Sequence, residues 1–231
     1  MGPGITLNRL ALSLNRIDIL APLSANMDGG RLHAIIGPNG AGKSSLMKCL
    51  LGLLPHQGDI VRNWPERPGP VAYVPQQAQF EPSLPITIEE FMLSTLSRRP
   101  LFGFSRRRCR VRIVQLLARV GLEDKLQLRL GQLSGGERQR LLFAQALERE
   151  SSLWFLDEPM TGLDHDAESL INGEIARLKG LGTTLLVIHH DMNWVRRFAD
   201  EVWLIDGGLK AHGRPDQLLQ EYAPPTLEAC A

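Results

Sequence analysis

Gly37-Pro38-Asn39-Gly40-Ala41-Gly42-Lys43-Ser44 satisfies the pattern G-x-x-x-x-G-K-[ST] at every position, and it leaves few folds open. The preceding Leu32–Ile36 reads as a short buried strand, and Lys43–Leu54 has helical spacing. Between a strand and a helix, glycines let successive backbone N–H groups curl around a phosphate, while the helix turns its positive end to the same anion. Lys43 is the residue type that reaches β- and γ-phosphates. Ser44 supplies the hydroxyl that such a site offers to Mg²⁺, with Ser45 beside it as a further phosphate contact. A chance glycine-rich turn would explain the glycines but not the Lys-Ser pair in this setting. The stretch is a nucleotide site.

The rest of the chain supports an α/β fold. Strand patterns recur at Ile5–Leu12, Ile17–Leu20, Leu23–Met27, Val71–Val74, Leu153–Leu156, Thr184–Ile188 and Val202–Ile205. Asn15-Arg16 and Asp28-Gly29-Gly30 mark turns between the first ones. Helical spacing at Asp164–Lys179 and Met192–Phe198 alternates with the later strands, which predicts a mainly parallel sheet covered on both faces. From about 86 to 147 strand signals vanish and helical spacing dominates (Ile88–Leu96, Val111–Val120, Glu137–Leu147). The expected organisation is one domain over 1–231. Residues 1–85 and 148–231 form the nucleotide-binding core with an N-terminal antiparallel β subdomain, and 86–147 form an inserted helical subdomain.

Two further motifs carry chemistry. Ser152-Leu153-Trp154-Phe155-Leu156-Asp157-Glu158 is an apolar strand ending in two acids, and a strand buried on both faces can deliver carboxylates only at its end. Such a strand is commonly structural when alone. Beside a phosphate loop, Asp157 becomes a Mg²⁺ ligand acting through water, and Glu158 the general base for the attacking water. Leu133-Ser134-Gly135-Gly136-Glu137 reads first as a helix N-cap that leaves backbone N–H groups open to an anion. The chain already has a phosphate loop of its own, so this second anion-ready element needs another explanation.

On these three motifs the chain resembles the nucleotide-binding subunit of ABC transporters along essentially its whole length, a P-loop NTPase with a RecA-like core. In that family Leu133–Glu137 is the signature motif. The resemblance implies that Ser134, Gly135 and Gly136 bind the γ-phosphate of ATP held by a second copy of the chain, in a head-to-tail dimer. It further implies that Gln76, directly after Pro75, is the Q-loop glutamine touching Mg²⁺ and water, with Gln77 as the alternative register. Asp164 in Thr161-Gly162-Leu163-Asp164 falls at the D-loop aspartate. His190 falls at the switch histidine that contacts the γ-phosphate, and His189 fills a position more often Ser or Thr. Adjacent residues at a strand end should point apart, which weighs against the histidine pair as a metal site.

Pro82-Ser83-Leu84-Pro85-Ile86-Thr87-Ile88, Arg98-Arg99-Pro100-Leu101-Phe102-Gly103 and the His189-His190-Asp191 triplet resemble the subgroup that powers bacterial uptake of zinc, manganese or iron ions. The implied partners are an integral-membrane subunit and, indirectly, an external substrate-binding protein. The alternatives are another cargo (siderophore, heme or other small molecule) or a non-transport ABC ATPase acting as a switch. Against the switch reading, these residues carry neither the long heptad insertions of DNA-linked members nor the second core of translation-type members, and neither is expected.

Composition agrees. A net charge of +1 gives no global field for nucleic acid, and none is expected as partner. The arginines at 98, 99, 106, 107, 108, 110 and 112 form a local basic cluster, read as a solvated face or as a contact with a membrane partner or anionic lipid. Cys49, Cys109 and Cys230 show no paired spacing, as expected in a reducing cytosol. No apolar run approaches the roughly 20 residues of a membrane span, and no secretory leader is expected. The expected place is the cytoplasmic side of a bacterial inner membrane, held there by a partner.

One position departs from the family. An aromatic residue usually stacks on adenine ahead of the phosphate loop, and alignment on Ile19-Leu20 puts Leu14 there, with no Tyr, Phe or Trp nearby. Adenine then gains apolar contact without stacking. Leu14→Tyr is expected to bind ATP several-fold tighter than the wild type in a fluorescent-nucleotide titration, and equal affinity would refute this account of Leu14.

Overall fold

The computed structural model describes residues 1–77, 85–96 and 106–221. In chain order its elements begin with β1 (Gly4–Leu14), β2 (Ile17–Met27), β3 (Leu32–Ile36), α1 (Lys43–Leu51), β4 (Gln57–Asn63) and β5 (Val71–Val74). There follow α2 (Ile88–Leu96), α3 (Arg106–Ala118), α4 (Gly135–Leu147), β6 (Leu153–Asp157), α5 (His165–Gly180) and β7 (Thr184–Ile188). The last are α6 (Met192–Phe198), β8 (Glu201–Ile205), β9 (Leu209–Gly213) and α7 (Pro215–Glu221). These elements fall into two compact units, Met1–Pro68 with Gly182–Ala231, and Gly69–Leu181.

The first unit holds an antiparallel sheet in the order β2-β1-β4, the N-terminal β subdomain expected from the turn pattern. Asn15 and Arg16 both have positive φ (51° and 64°), so the strands are joined by a two-residue turn of the hand that matches strand twist. Pro22 made Ile17–Leu20 and Leu23–Met27 look like separate strands, yet β2 runs through it. Ala21 and Pro22 sit at a register shift, where Leu10 and Leu12 of β1 pair with Leu23 and Leu20, and such an irregularity leaves a residue outside the ladder where a missing N–H is tolerated. In the same unit β3 lies between β7 and β8, parallel to both, and β9 pairs antiparallel with β8.

Every residue of β3 is buried, which is why Leu32–Ile36 reads as a continuous apolar run. Its polar exception, His33, is satisfied: Nε2 donates to the Asp28 carbonyl at 2.8 Å, and Nδ1 accepts from Trp203 Nε1 at 3.2 Å. α1 ends at Leu51 rather than Leu54, because Gly52 takes the left-handed conformation and the Leu53 N–H returns to the Lys48 carbonyl.

In the second unit β5 and β6 pair in parallel, and α2, α3 and α4 pack on one another. Ile88, Met92, Ile113, Leu116, Leu117, Leu141 and Phe143 form a buried core there. Phe143 and Trp154 meet with ring centroids 5.5 Å apart, and the Trp154 indole donates to the Ser151 carbonyl. Each such side chain contributes about 1.5–3 kcal/mol by burial.

The expected strands at Val71–Val74 and Thr184–Ile188, and the helices at Ile88–Leu96 and Met192–Phe198, match the observed bounds. β4, β9 and α7 had no clear signal. β4 carries mostly exposed side chains and is defined by its ladder to β1 instead of by alternation. Pro82-Ser83-Leu84, Arg98–Gly103, Phe104, Ala223-Pro224-Pro225 and Cys230 lie outside the described residues. Cys49 is buried and Cys109 partly so, both as free thiols. Among the described residues no helix is long and apolar enough to cross a membrane, and no three or more His, Cys, Asp or Glu side chains gather into a metal-binding group.

Candidate functional site

In the first unit the chain leaves β3 at Gly37, with φ 144°, where a Cβ would lie 2.0 Å from the Ile205 carbonyl oxygen. Only glycine passes there. At the other end of the loop Gly42 (φ 93°) caps α1, and a Cβ on it would meet Leu20 at 2.7 Å. No side chain caps α1 and no acid sits in its first turn, so the positive end of the helix is left to the loop. The Lys43 ammonium donates to the carbonyls of Gly37 and Pro38 at 2.9 and 2.8 Å, which folds residues 37–42 around it. Ser44 and Ser45 follow in the first turn, both half-buried.

His189 and His190 follow β7 in the same unit. They were expected to point apart. Instead their rings lie near-parallel, 18° and 5.5 Å apart, because β7 ends at Ile188 and strand alternation no longer governs them. The two residues still differ in setting, since His190 is exposed and His189 is buried. The His189 ring stacks on Trp194 at 4.2 Å, and its Nδ1 accepts the Asp191 N–H at 3.1 Å. Burial, and then the charge of His190, push its pKa down to about 4. Asp191 itself caps α6 by accepting from the Asn193 N–H.

In the second unit β6 is buried throughout and delivers Asp157, itself only 4% exposed, at its end. Glu158, the next residue, has φ 47°, a left-handed conformation that a non-glycine residue adopts only at a cost. Its Oε2 accepts from Gln76 Nε2 at 2.8 Å and from the Thr161 hydroxyl at 3.3 Å. Of the two candidate glutamines, Gln76 is the one bonded to Glu158.

Ser134 is the N-cap of α4 in a reciprocal capping box: its hydroxyl accepts from the Glu137 N–H at 3.2 Å, and its own N–H donates to the Glu137 carboxylate at 2.7 Å. Lys125 also bonds Glu137, and the lysine bond foremost, with the Ser134 N–H next, pulls the Glu137 pKa down to about 2. The two glycines differ in their reason. A Cβ on Gly136 would sit 2.7 Å from the Gly162 carbonyl oxygen, so the first turn of α4 touches the 161–164 loop directly. A Cβ on Gly135 would meet nothing within 4 Å among the described residues. The fold requires Gly136 to be glycine; at Gly135 it leaves room. Asp164 caps α5, accepting the Ala167 N–H at 2.9 Å.

Thr161 and Gln139 were not anticipated. Gln139 is 3% exposed on α4 and donates to the Pro75 carbonyl at 2.9 Å. Its signal was available: it shares a buried helical stripe with Phe143 and Leu147, where a polar side chain requires a partner. Of the arginine cluster, Arg110 and Arg112 pair with Glu89 and Glu150, as on an ordinary solvated face. The side chains of the other five lie outside the described residues.

The ABC transporter family model matches residues 20–161. A manganese transport system ATP-binding protein (MntB) of Halalkalibacterium halodurans is 33% identical over 220 residues, covering 92% of this chain and 87% of that protein. A zinc transport system ATP-binding protein (TroB) of Treponema pallidum is 34% identical over 216 residues, covering 90% and 80%. Among solved structures, the ATP-binding subunit of an ABC transporter superposes with a TM-score of 0.79 at 25% identity, covering 95% of this chain and 93% of that one.

The two signature glycines separate two effects. Gly136→Ala is expected to lower thermal stability by about 1–3 kcal/mol through overpacking. Gly135→Ala should melt like the wild type, because the added Cβ meets nothing within 4 Å among the described residues. His189 supplies a pH dependence. Its folded pKa lies below the ordinary 6.5, so the unfolded chain takes up the proton first, and stability falls as pH drops from about 6.5 towards 4. Between pH 7 and pH 5 the loss is on the order of 2 kcal/mol. Urea unfolding of His189→Thr at the two pH values should show a correspondingly smaller difference.

Proposed function

Since the chain belongs to the ABC transporter family, we propose that it is the ATP-hydrolysing subunit of an importer of divalent metal ions, zinc or manganese. It works as a head-to-tail pair on an integral-membrane subunit served by an external substrate-binding protein. The names of its relatives support the cargo, since they include manganese and zinc transport proteins over most of both chains. One observation carries the pairing. The chain has, besides its phosphate loop, a second glycine-rich helix start, where the capping box takes up the Ser134 and Glu137 N–H groups and open space lies at Gly135. In a chain acting alone that element is redundant; the ATP of a second copy accounts for it.

The assigned chemistry follows the residue types. The N–H groups of 37–44 and the Lys43 ammonium bind the β- and γ-phosphates. Mg²⁺ suits the donors assigned to it, because the Ser44 hydroxyl, the Gln76 amide oxygen and the Asp157 carboxylate are all hard oxygen ligands. When bound, it offsets charge on the β- and γ-phosphates. Glu158 takes the proton of the attacking water, Gln76 orients that carboxylate and the water, and His190 donates to the γ-phosphate. Asp164 sets the loop beside the signature turn. Residues 86–147 are assigned as the helical arm that meets the membrane subunit on the cytoplasmic face. ATP closes the pair, closure moves the arms, and hydrolysis reopens them.

Glu158→Gln is expected to cut hydrolysis at least ~100-fold and to hold a dimer in gel filtration with ATP; wild-type turnover would remove Glu158 as base. In cells lacking the chain, zinc or manganese content is expected to fall. Unchanged zinc, manganese and iron would overturn the metal cargo and leave the ATPase assignment standing.

A further inference from the structure

The helix that begins at the signature also holds the loop that places Gln76. β5 ends at Val74, and its ladder to β6 ends with the Val74–Leu156 pair, so the Pro75 carbonyl lies beyond the last strand partner. The amide of Gln139, five residues into α4, donates to that carbonyl at 2.9 Å. A carbonyl can only accept, so this bond fixes the NH₂ end of the Gln139 amide toward Pro75. With Gln139 3% exposed, its amide is out of reach of bulk solvent, and loss of the bond leaves that buried amide without this partner.

The bonded carbonyl belongs to the peptide group that joins Pro75 to Gln76. Proline fixes its own φ, so the carbonyl anchor restricts the one torsion that otherwise swings the next residue. Gln76 then reaches Glu158 Oε2 at 2.8 Å. The first turn of α4 meets the same region from another side, through the contact of Gly136 with the Gly162 carbonyl, one residue from the Thr161 that also bonds Glu158. One helix therefore touches both loops whose side chains hold this carboxylate.

We propose that Gln139 is a positioning residue for ATP hydrolysis: it ties the signature helix to the Pro75–Gln76 peptide, so that α4 sets the orientation of Glu158 through Gln76. The proposal rests on the ATPase reading above, in which Glu158 is the base. It makes a prediction that a purely structural role does not, because Gln139 acts through Gln76.

The test is a double-mutant cycle on the full chain, with steady-state kinetics in Mg·ATP for wild type, Gln139→Met, Gln76→Ala and the pair. Met keeps the buried volume and removes the donor. Gln139→Met is expected to lower kcat roughly tenfold or more, as for a misplaced catalytic group, with KM within about twofold of the wild type, because the phosphate loop is untouched. In the Gln76→Ala background the same change should lower kcat by less than about twofold. Equal losses in both backgrounds would overturn the proposal in favour of a structural role, and so would an unchanged kcat in the single variant.

Should Gln139→Met fold poorly, Gln139→Glu serves instead. Ionised, its carboxylate repels the Pro75 carbonyl; protonated, it donates to it. Its kcat relative to wild type should therefore rise as pH falls, and a flat ratio would count against the proposal. Wild-type protein without ATPase activity would refute the function itself, and is distinguishable from every one of these results.

Discussion

The exit of β3 at Gly37 is the contact on which the nucleotide end of this chain depends. With the Ile205 carbonyl 2.0 Å from where a Cβ would stand, the backbone itself forms the wall of the turn. β8 can press this closely because it is paired to β3 along its length, from His33–Glu201 to Ile36–Leu204. The loop that follows is then shaped by its own lysine, whose ammonium gathers the carbonyls of Gly37 and Pro38. Buried strands thus impose a backbone path, and the path creates the anion site.

The second unit solves a different problem: it must hold carboxylates at the end of a wholly buried strand. Asp157 stays within the strand, whereas Glu158 leaves it in a left-handed turn that two neighbouring side chains support. Strain of this kind persists only where the surroundings over-determine it. Here they do, through Gln76, Thr161 and the helix behind them. The N-terminus of that helix is equally constrained, with Ser134, Glu137 and Lys125 locked in one network and Gly136 pressed on the 161–164 loop.

Much of this was legible in the sequence, for reasons that differ from residue to residue. Buried parallel strands announce themselves as unbroken apolar runs, which is why β3 and β7 were found within their observed bounds. Gly37, Gly42 and Gly136 answer to close backbone or side-chain approach in the fold, whereas Gly135 does not and was read from the motif alone. β4 was not, because its solvated side chains carry no pattern and its pairing is a property of β1. The unbroken β2 was not legible, because the register shift that accommodates Pro22 belongs to its pairing with β1, which no local window contains. The histidine pair misled for a similar reason: strand alternation was extended to His189 and His190, past the end of the ladder at Ile188. Gln139 carried a signal, a polar residue in an apolar stripe, though its partner 64 positions away could be named only once the chain was folded.

The bond between Ala21 and Gly207 has one more consequence. At the middle of β2 the Ala21 N–H is given to the Gly207 carbonyl at 2.8 Å, so the edge offers no donor to a stranger at that point. A strand from another molecule would find the row of hydrogen-bonding groups interrupted where it most needs continuity. Sheet-to-sheet aggregation through this edge is thereby discouraged.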